Sequence, residues 1–108
     1  MNILAKLSAA ALLVIPVSAM AGSQDFELAN QNGTSSVVGL YVAHTGSKEP
    51  WSSNILSTPV APSEVRNITF TDYPANDCRW DIKVVFADGG TVVSNNVNLC
   101  TESRLTAT

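Results

Sequence analysis

One histidine, two cysteines and two tryptophans in 108 residues leave few ways to build a catalytic or metal centre. There is no Cys-x-x-Cys pair, and His44 cannot complete a zinc site with two distant thiols. No Gly-x-Ser-x-Gly or other nucleophile motif surrounds His44, so nucleophilic catalysis lacks its usual setting. Six Lys/Arg stand against nine Asp/Glu without any basic cluster, which argues against nucleic acid or an anionic membrane surface as a partner. Helical periodicity is almost absent, and no cofactor is implied. The apolar run from Ala9 to Val17 is too short to cross a bilayer of roughly 30 Å, and Pro16 interrupts it.

That run reads instead as the core of a signal peptide. Lys6 supplies the positive start, and Ala19-Met20-Ala21 puts small residues where signal peptidase needs them, so cleavage is expected before Gly22. No twin-Arg pair precedes the run and no Cys stands at the cleavage point. Residues 1–21 are thus expected to be removed, leaving 22–108 as one small domain, periplasmic or extracellular, with no transmembrane segment after processing. Losing Lys6 moves the formal charge from −3 to −4. Both cysteines, Cys78 and Cys100, lie in the exported part, where a disulfide is the default expectation.

What remains is rich in Val, Thr, Ile, Asn, Ser and Gly, in short alternating runs with turn residues between them. Asp25 to Ala29 predicts a strand with Phe26 and Leu28 on one face. Asn30-Gln31-Asn32-Gly33 is a turn, and Ser36 to Ala43 predicts a second strand with Val38, Leu40 and Val42 on one face. These two are expected to pair as an antiparallel hairpin. His44 to Ser63 carries Gly46, Pro50, Pro59 and Pro62 and is expected to be irregular. Within it Trp51 to Leu56 could form a helical turn or an edge segment, with Trp51 and Leu56 folding over an open end of the core. Val65 to Phe70 predicts another strand with Ile68 and Phe70 inward, and Leu105 marks a last short one. The fold class is all-β, a small antiparallel sandwich or open barrel of five to six strands with one disulfide.

The run from Cys78 to Cys100 permits a register argument. With Asp88-Gly89 as a two-residue turn, Val84 faces Val93, Ile82 faces Asn95 and Trp80 faces Val97. Trp80, Ile82, Val84, Phe86, Val93, Val97 and Leu99 then share one apolar face, but Cys78 falls opposite Leu99, one residue short of Cys100. A three-residue loop Asp88-Gly89-Gly90 aligns the cysteines and turns the apolar face out. Burial favours the first register, with a bulge between Asn95 and Asn98 to let the sulfurs meet and Asn95 inward to satisfy freed backbone groups.

Candidate functional residues are few. His44 stands at the start of the long loop, and Trp51 and Tyr73 are loop aromatics of the kind that stack on sugars or anchor a partner. Asn54 follows Trp51. Asp72, Asn76 and Asp77 in one loop could hold calcium, although no known loop spacing is present. Asp72, Asp77, Asp81 and Asp88 would have to converge across a cleft to serve a glycosidase. The favoured expectation is a non-enzymatic domain that binds a protein or small ligand, with a small hydrolase or a calcium-stabilised module as alternatives.

The chain from Phe26 to Cys100 resembles a family of short exported proteins of Gram-negative bacteria. The likeness rests on Phe26, Leu28, Asn30, Gly33, Tyr41-Val42, Trp51, Asp81 to Phe86, Asp88-Gly89 and Asn96-Val97-Asn98-Leu99-Cys100. The chain departs from that pattern at Asn32-Gly33-Thr34, where Thr-Gly is commoner, and at Asn54, where an Asp is common. The resemblance implies a small exported β domain and brings no activity with it. Asn32-Gly33-Thr34 and Asn67-Ile68-Thr69 match the glycosylation sequon, and the short Ala-x-Ala leader, bacterial in style, makes both chance matches.

Overall fold

The computed structural model describes residues 23–48, 50–69 and 73–108. The expected leader and cleavage position, Phe70 and Asp72 lie outside the described residues. Every regular element among those described is a strand: β1 (Phe26–Asn30), β2 (Val37–His44), β3 (Val65–Ile68), β4 (Arg79–Phe86), β5 (Thr91–Asn98) and β6 (Arg104–Ala107). They form two three-stranded sheets, ordered β3-β1-β6 and β2-β4-β5. All pairs are antiparallel except β1 with β6, which run parallel. No described helix is long and apolar enough to cross a membrane.

The expected β1–β2 hairpin does not form, because the two strands belong to different sheets. The reason lies in how the end of β1 is bonded. The Asn30 N–H donates to the Glu64 carbonyl and the Asn30 carbonyl accepts from the Ser63 N–H, so that edge of β1 is taken. The buried Asn30 side chain gives its amide hydrogens to the carbonyls of Ser35 and Val60 and accepts from Asn32 N–H. Asn32 Oδ1 in turn accepts from the N–H groups of Thr34 and Ser35. The polar segment therefore carries the chain across the core, from one layer to the other.

The core fills the space between the sheets. Phe26, Leu28 and Ile68 face Val37, Leu40, Val42, Trp80, Ile82, Val84 and Phe86, with Val60, Leu99 and Ala107 completing it. Each fully buried large apolar side chain contributes about 1.5–3 kcal/mol. A register shift between Val37 and Gly39 puts Val37 inward and leaves Val38 exposed, so the expected face of Val38, Leu40 and Val42 holds only for the last two. Leu105 packs against the core from β6.

The long loop forms an edge segment. Its Ser52 and Ile55 N–H groups donate to the carbonyls of Val42 and Leu40, and Val60 bridges Val37. The Asn54 side chain accepts from Leu40 N–H and donates to the Val38 carbonyl, replacing a neighbouring strand. Ile55 and Leu56 pack on the core. Trp51 does not: its ring lies against Lys83 on the outer face of the sheet.

Cys78 and Cys100 are joined, with Cα atoms 5.2 Å apart. The register near them is the expected one, with Trp80 opposite Val97 and Leu99 N–H bonded to the Cys78 carbonyl. A shift between Trp80 and Ile82 places the irregularity at Asn95 and Asn96, and Asn96 takes φ 57°. The freed Asn96 N–H is satisfied by Asp81 Oδ1 at 2.8 Å, whereas Asn95 itself is exposed.

The turn differs from both registers weighed above. Phe86 N–H bonds the Gly90 carbonyl and Gly89 N–H bonds the Phe86 carbonyl, enclosing Ala87, Asp88 and Gly89 in a three-residue loop. Val84 therefore faces Val92, and Ile82 faces Ser94. Gly89 alone in this turn takes a positive φ, 95°, whereas a two-residue type I′ turn would require it of Asp88 as well. Tertiary bonds decide the matter: Ala87 N–H donates to the Ser36 carbonyl and Asp88 N–H to Ser35 Oγ. Val93, expected in the core, is 46% exposed, because the shifted register sets it opposite Lys83 on the outer face.

Candidate functional site

The inward face of β2 ends at His44, and the pairing of β2 with β4 sets His44 directly opposite Trp80. Opposed residues share a face, so the imidazole lies on the indole, with ring centroids 4.0 Å apart and planes 29° from parallel. Tyr73 meets both rings edge-on, at 5.9 Å from His44 and 4.8 Å from Trp80. Edge-to-face and offset arrangements are the favoured ones for rings with a negative face and positive rim.

A hydrogen-bonded turn holds this group. Asp77 N–H donates to the Pro74 carbonyl, and the Asp77 carbonyl accepts from the indole N–H of Trp80 at 2.8 Å. The buried Gln24 side chain donates to the carbonyls of Pro74 and Asp77, tying the turn to the start of the chain. Asp77 Oδ2 lies 2.7 Å from His44 Nε2. A carboxylate only accepts, so Nε2 carries the proton of this bond and Nδ1 is the position left to face a ligand. The disulfide begins at the next residue, Cys78, and anchors the turn from the other side.

His44, Tyr73 and Trp80 line a cleft of about 320 Å³ together with Val42, Ala43, Ser47, Pro50 and Ser52. Trp80 forms its floor and is 1% exposed, while the side chains of His44 and Tyr73 stand out towards solvent. Ser52 Oγ is committed to backbone, donating to the Ser53 carbonyl and accepting from Val42 N–H.

Of the four residues expected to bind, the fold brings two together. His44 and Tyr73 share the cleft. Trp51 lies on the outer sheet face, and Asn54 is spent on the backbone of β2. Trp80 reads in the sequence as core and Asp77 as a turn residue, so their part in the cleft was not visible there. Asp77 stood out in the sequence only as a candidate calcium or paired carboxylate, not as a partner of His44. Of the carboxylates considered for a paired site, Asp77 engages His44, Asp81 holds the β5 bulge, and Asp88 Oδ1 accepts Gly90 N–H within the turn. Among the described residues no three His, Cys, Asp or Glu side chains gather closely enough to hold a metal ion.

Comparison with known proteins returns no family model, no curated protein and no solved structure that matches this chain.

Proposed function

We propose that this is an exported, non-enzymatic binding domain whose ligand site is the cleft between His44, Tyr73 and Pro50. The observation that carries the reading is the stacked, carboxylate-held His44 over the indole of Trp80. Rings locked by packing and hydrogen bonds lose little freedom on binding, which favours recognition of a small ligand or an anchoring side chain of a partner. Export is supported by the leader and by the Cys78–Cys100 disulfide. The likeness to short exported Gram-negative proteins points the same way.

A thermal-shift screen against glycans, lipids, peptides and divalent ions tests the reading. Saturation at a hundred times Kd stabilises the native state by about 2.7 kcal/mol. The shift should vanish in Tyr73→Ala and shrink in His44→Ala. A ligand whose shift survives both substitutions would place its site elsewhere.

One observation favours a second reading, a small hydrolase. His44 bonded to Asp77 is the base-and-orienter half of a catalytic triad, and Ser47 lines the same cleft. Hydrolysis of activated esters that disappears in both Ser47→Ala and His44→Ala would support it. Turnover indifferent to both would remove it.

A further inference from the structure

Among the described residues the outer face of the β2-β4-β5 sheet carries no second sheet, and its centre is an ammonium between two rings. Lys83 Nζ lies 4.9 Å from the centroid of Tyr41 and 5.1 Å from that of Trp51. Tyr41 stands beside Lys83 across β2 and β4, while Trp51 reaches in from the edge segment. Gly39 explains the posture of Tyr41. A Cβ at Gly39 would come within 2.7 Å of the tyrosine Cε1, so the ring lies down over the glycine. Around this centre the outward neighbours in the pairing are Ala43, Asp81, Val85 and Val93.

The charge at this centre shares its face of β4 with the Asp81 carboxylate. Arg66 is paired with Glu64 and Arg104 with Glu27, whereas Lys83 has no ion pair among the described residues. Asp81, two residues along β4, uses Oδ1 to accept from Thr45 Oγ1 and Asn96 N–H. A cation set over aromatic faces is partly stripped of water and keeps its attraction for an anion. Two rings on a level sheet offer the surface that the C–H faces of sugars pack against.

We propose that Trp51, Tyr41 and Lys83 form a second binding site, for an acidic saccharide whose sugar rings carry carboxylates. The carboxylate draws Nζ off the rings by rotation of one flexible side chain, and a sugar face takes its place against Trp51 and Tyr41. The site is separate from the His44 cleft, so either can fail without the other.

Calorimetric titration of the disulfide-bonded protein with oligogalacturonate, with a neutral galactose oligomer and with a poly-glutamate peptide tests this. Oligogalacturonate should bind, and bind more weakly as salt is added. The neutral oligomer should bind at least about tenfold more weakly, a difference of about 1.4 kcal/mol. Lys83→Gln and Trp51→Ala should each cost a similar factor, and Lys83→Arg should restore binding. Thermal melts of each variant separate lost binding from lost folding, and Trp51→Leu, which keeps bulk without a ring face, serves if Trp51→Ala does not fold. No binding of oligogalacturonate overturns the proposal. So does equal binding of the neutral oligomer, equal binding of poly-glutamate, or affinity unchanged in Lys83→Gln.

Discussion

His44 lies on Trp80, centroid to centroid at 4.0 Å, because β2 and β4 pair the two residues directly across the sheet. The contact couples the core to the cleft: the same indole is a buried core member on one side and the cleft floor on the other. Its N–H also holds the Asp77 carbonyl, so the ring helps to orient the carboxylate that meets His44.

Replacing that indole is therefore expected to damage both stability and site. Trp80→Ala should destabilise the domain by about 3–5 kcal/mol, the range for emptying a large aromatic site. His44→Ala, at a half-exposed position, should cost about 1 kcal/mol or less. Urea unfolding of the two variants checks the contrast. Equal losses would mean that the stack is not organised around Trp80.

The disulfide closes a chain separation of 22 residues. On chain-entropy grounds it contributes about 3.4 kcal/mol, a large share of what a domain of this size can hold. Reduction, or Cys78→Ser, should lower the urea midpoint accordingly. Since Asp77 immediately precedes Cys78, Tyr73 and His44 resonances should shift even where the reduced protein remains folded. An unchanged midpoint in reductant would contradict the staple.

Asn54 stands in for a β-strand. Asn54→Ala removes an acceptor for Leu40 N–H and a donor for the Val38 carbonyl. The expected loss is about 0.5–1.5 kcal/mol, the net contribution of a hydrogen bond that water can in part replace at an exposed position. Faster amide exchange at Leu40 would locate the damage. Asn54→Asp keeps the acceptor and loses the donor, so Leu40 should remain protected while the Val38 carbonyl loses its partner.

Glu64 gives a pH-dependent contribution of known sign. The Ala61 N–H, first, and the Arg66 guanidinium, second, hold its carboxyl below the ordinary range. A carboxyl lower in the folded than in the unfolded state stabilises the fold above its unfolded value. That contribution is lost as pH falls through the folded one. Thermal melts across the acid range should show Glu64→Gln closing on the native protein as pH drops. A gap that widens towards acid would reverse the assignment.

How much was legible in the sequence differs from strand to strand. Trp80, Ile82, Val84 and Phe86 alternate so strictly that their inward face follows from sequence, and Leu40 and Val42 follow likewise. A bulge does stand at Asn95 and Asn96, within the expected stretch, but it restores the Trp80–Val97 register after the shifted turn and leaves Cys78 opposite Leu99. The turn was misjudged by one residue. Asp88-Gly89 suits a two-residue turn locally, but Ser35 and Ser36 hold Ala87 and Asp88 from across the fold. Val93 then lies outward, because a one-residue shift reverses the side chains between the turn and the bulge.

The candidate site was half legible. His44 and Tyr73 stood out as polar-tipped rings in loops, but nothing local joins them to Asp77 or Trp80. The sequence by itself determined an all-β chain, its core-facing alternation and its disulfide, since these rest on period-two patterning and on two cysteines with no competing partner. Tertiary structure alone decided which sheet each strand joined, because Asn30 and the segment it binds occupy the edge that β2 would have used. It also decided that Trp51 would meet Lys83 while His44 met Trp80. Strand pairing sets such contacts between residues far apart in sequence, where local pattern carries no information.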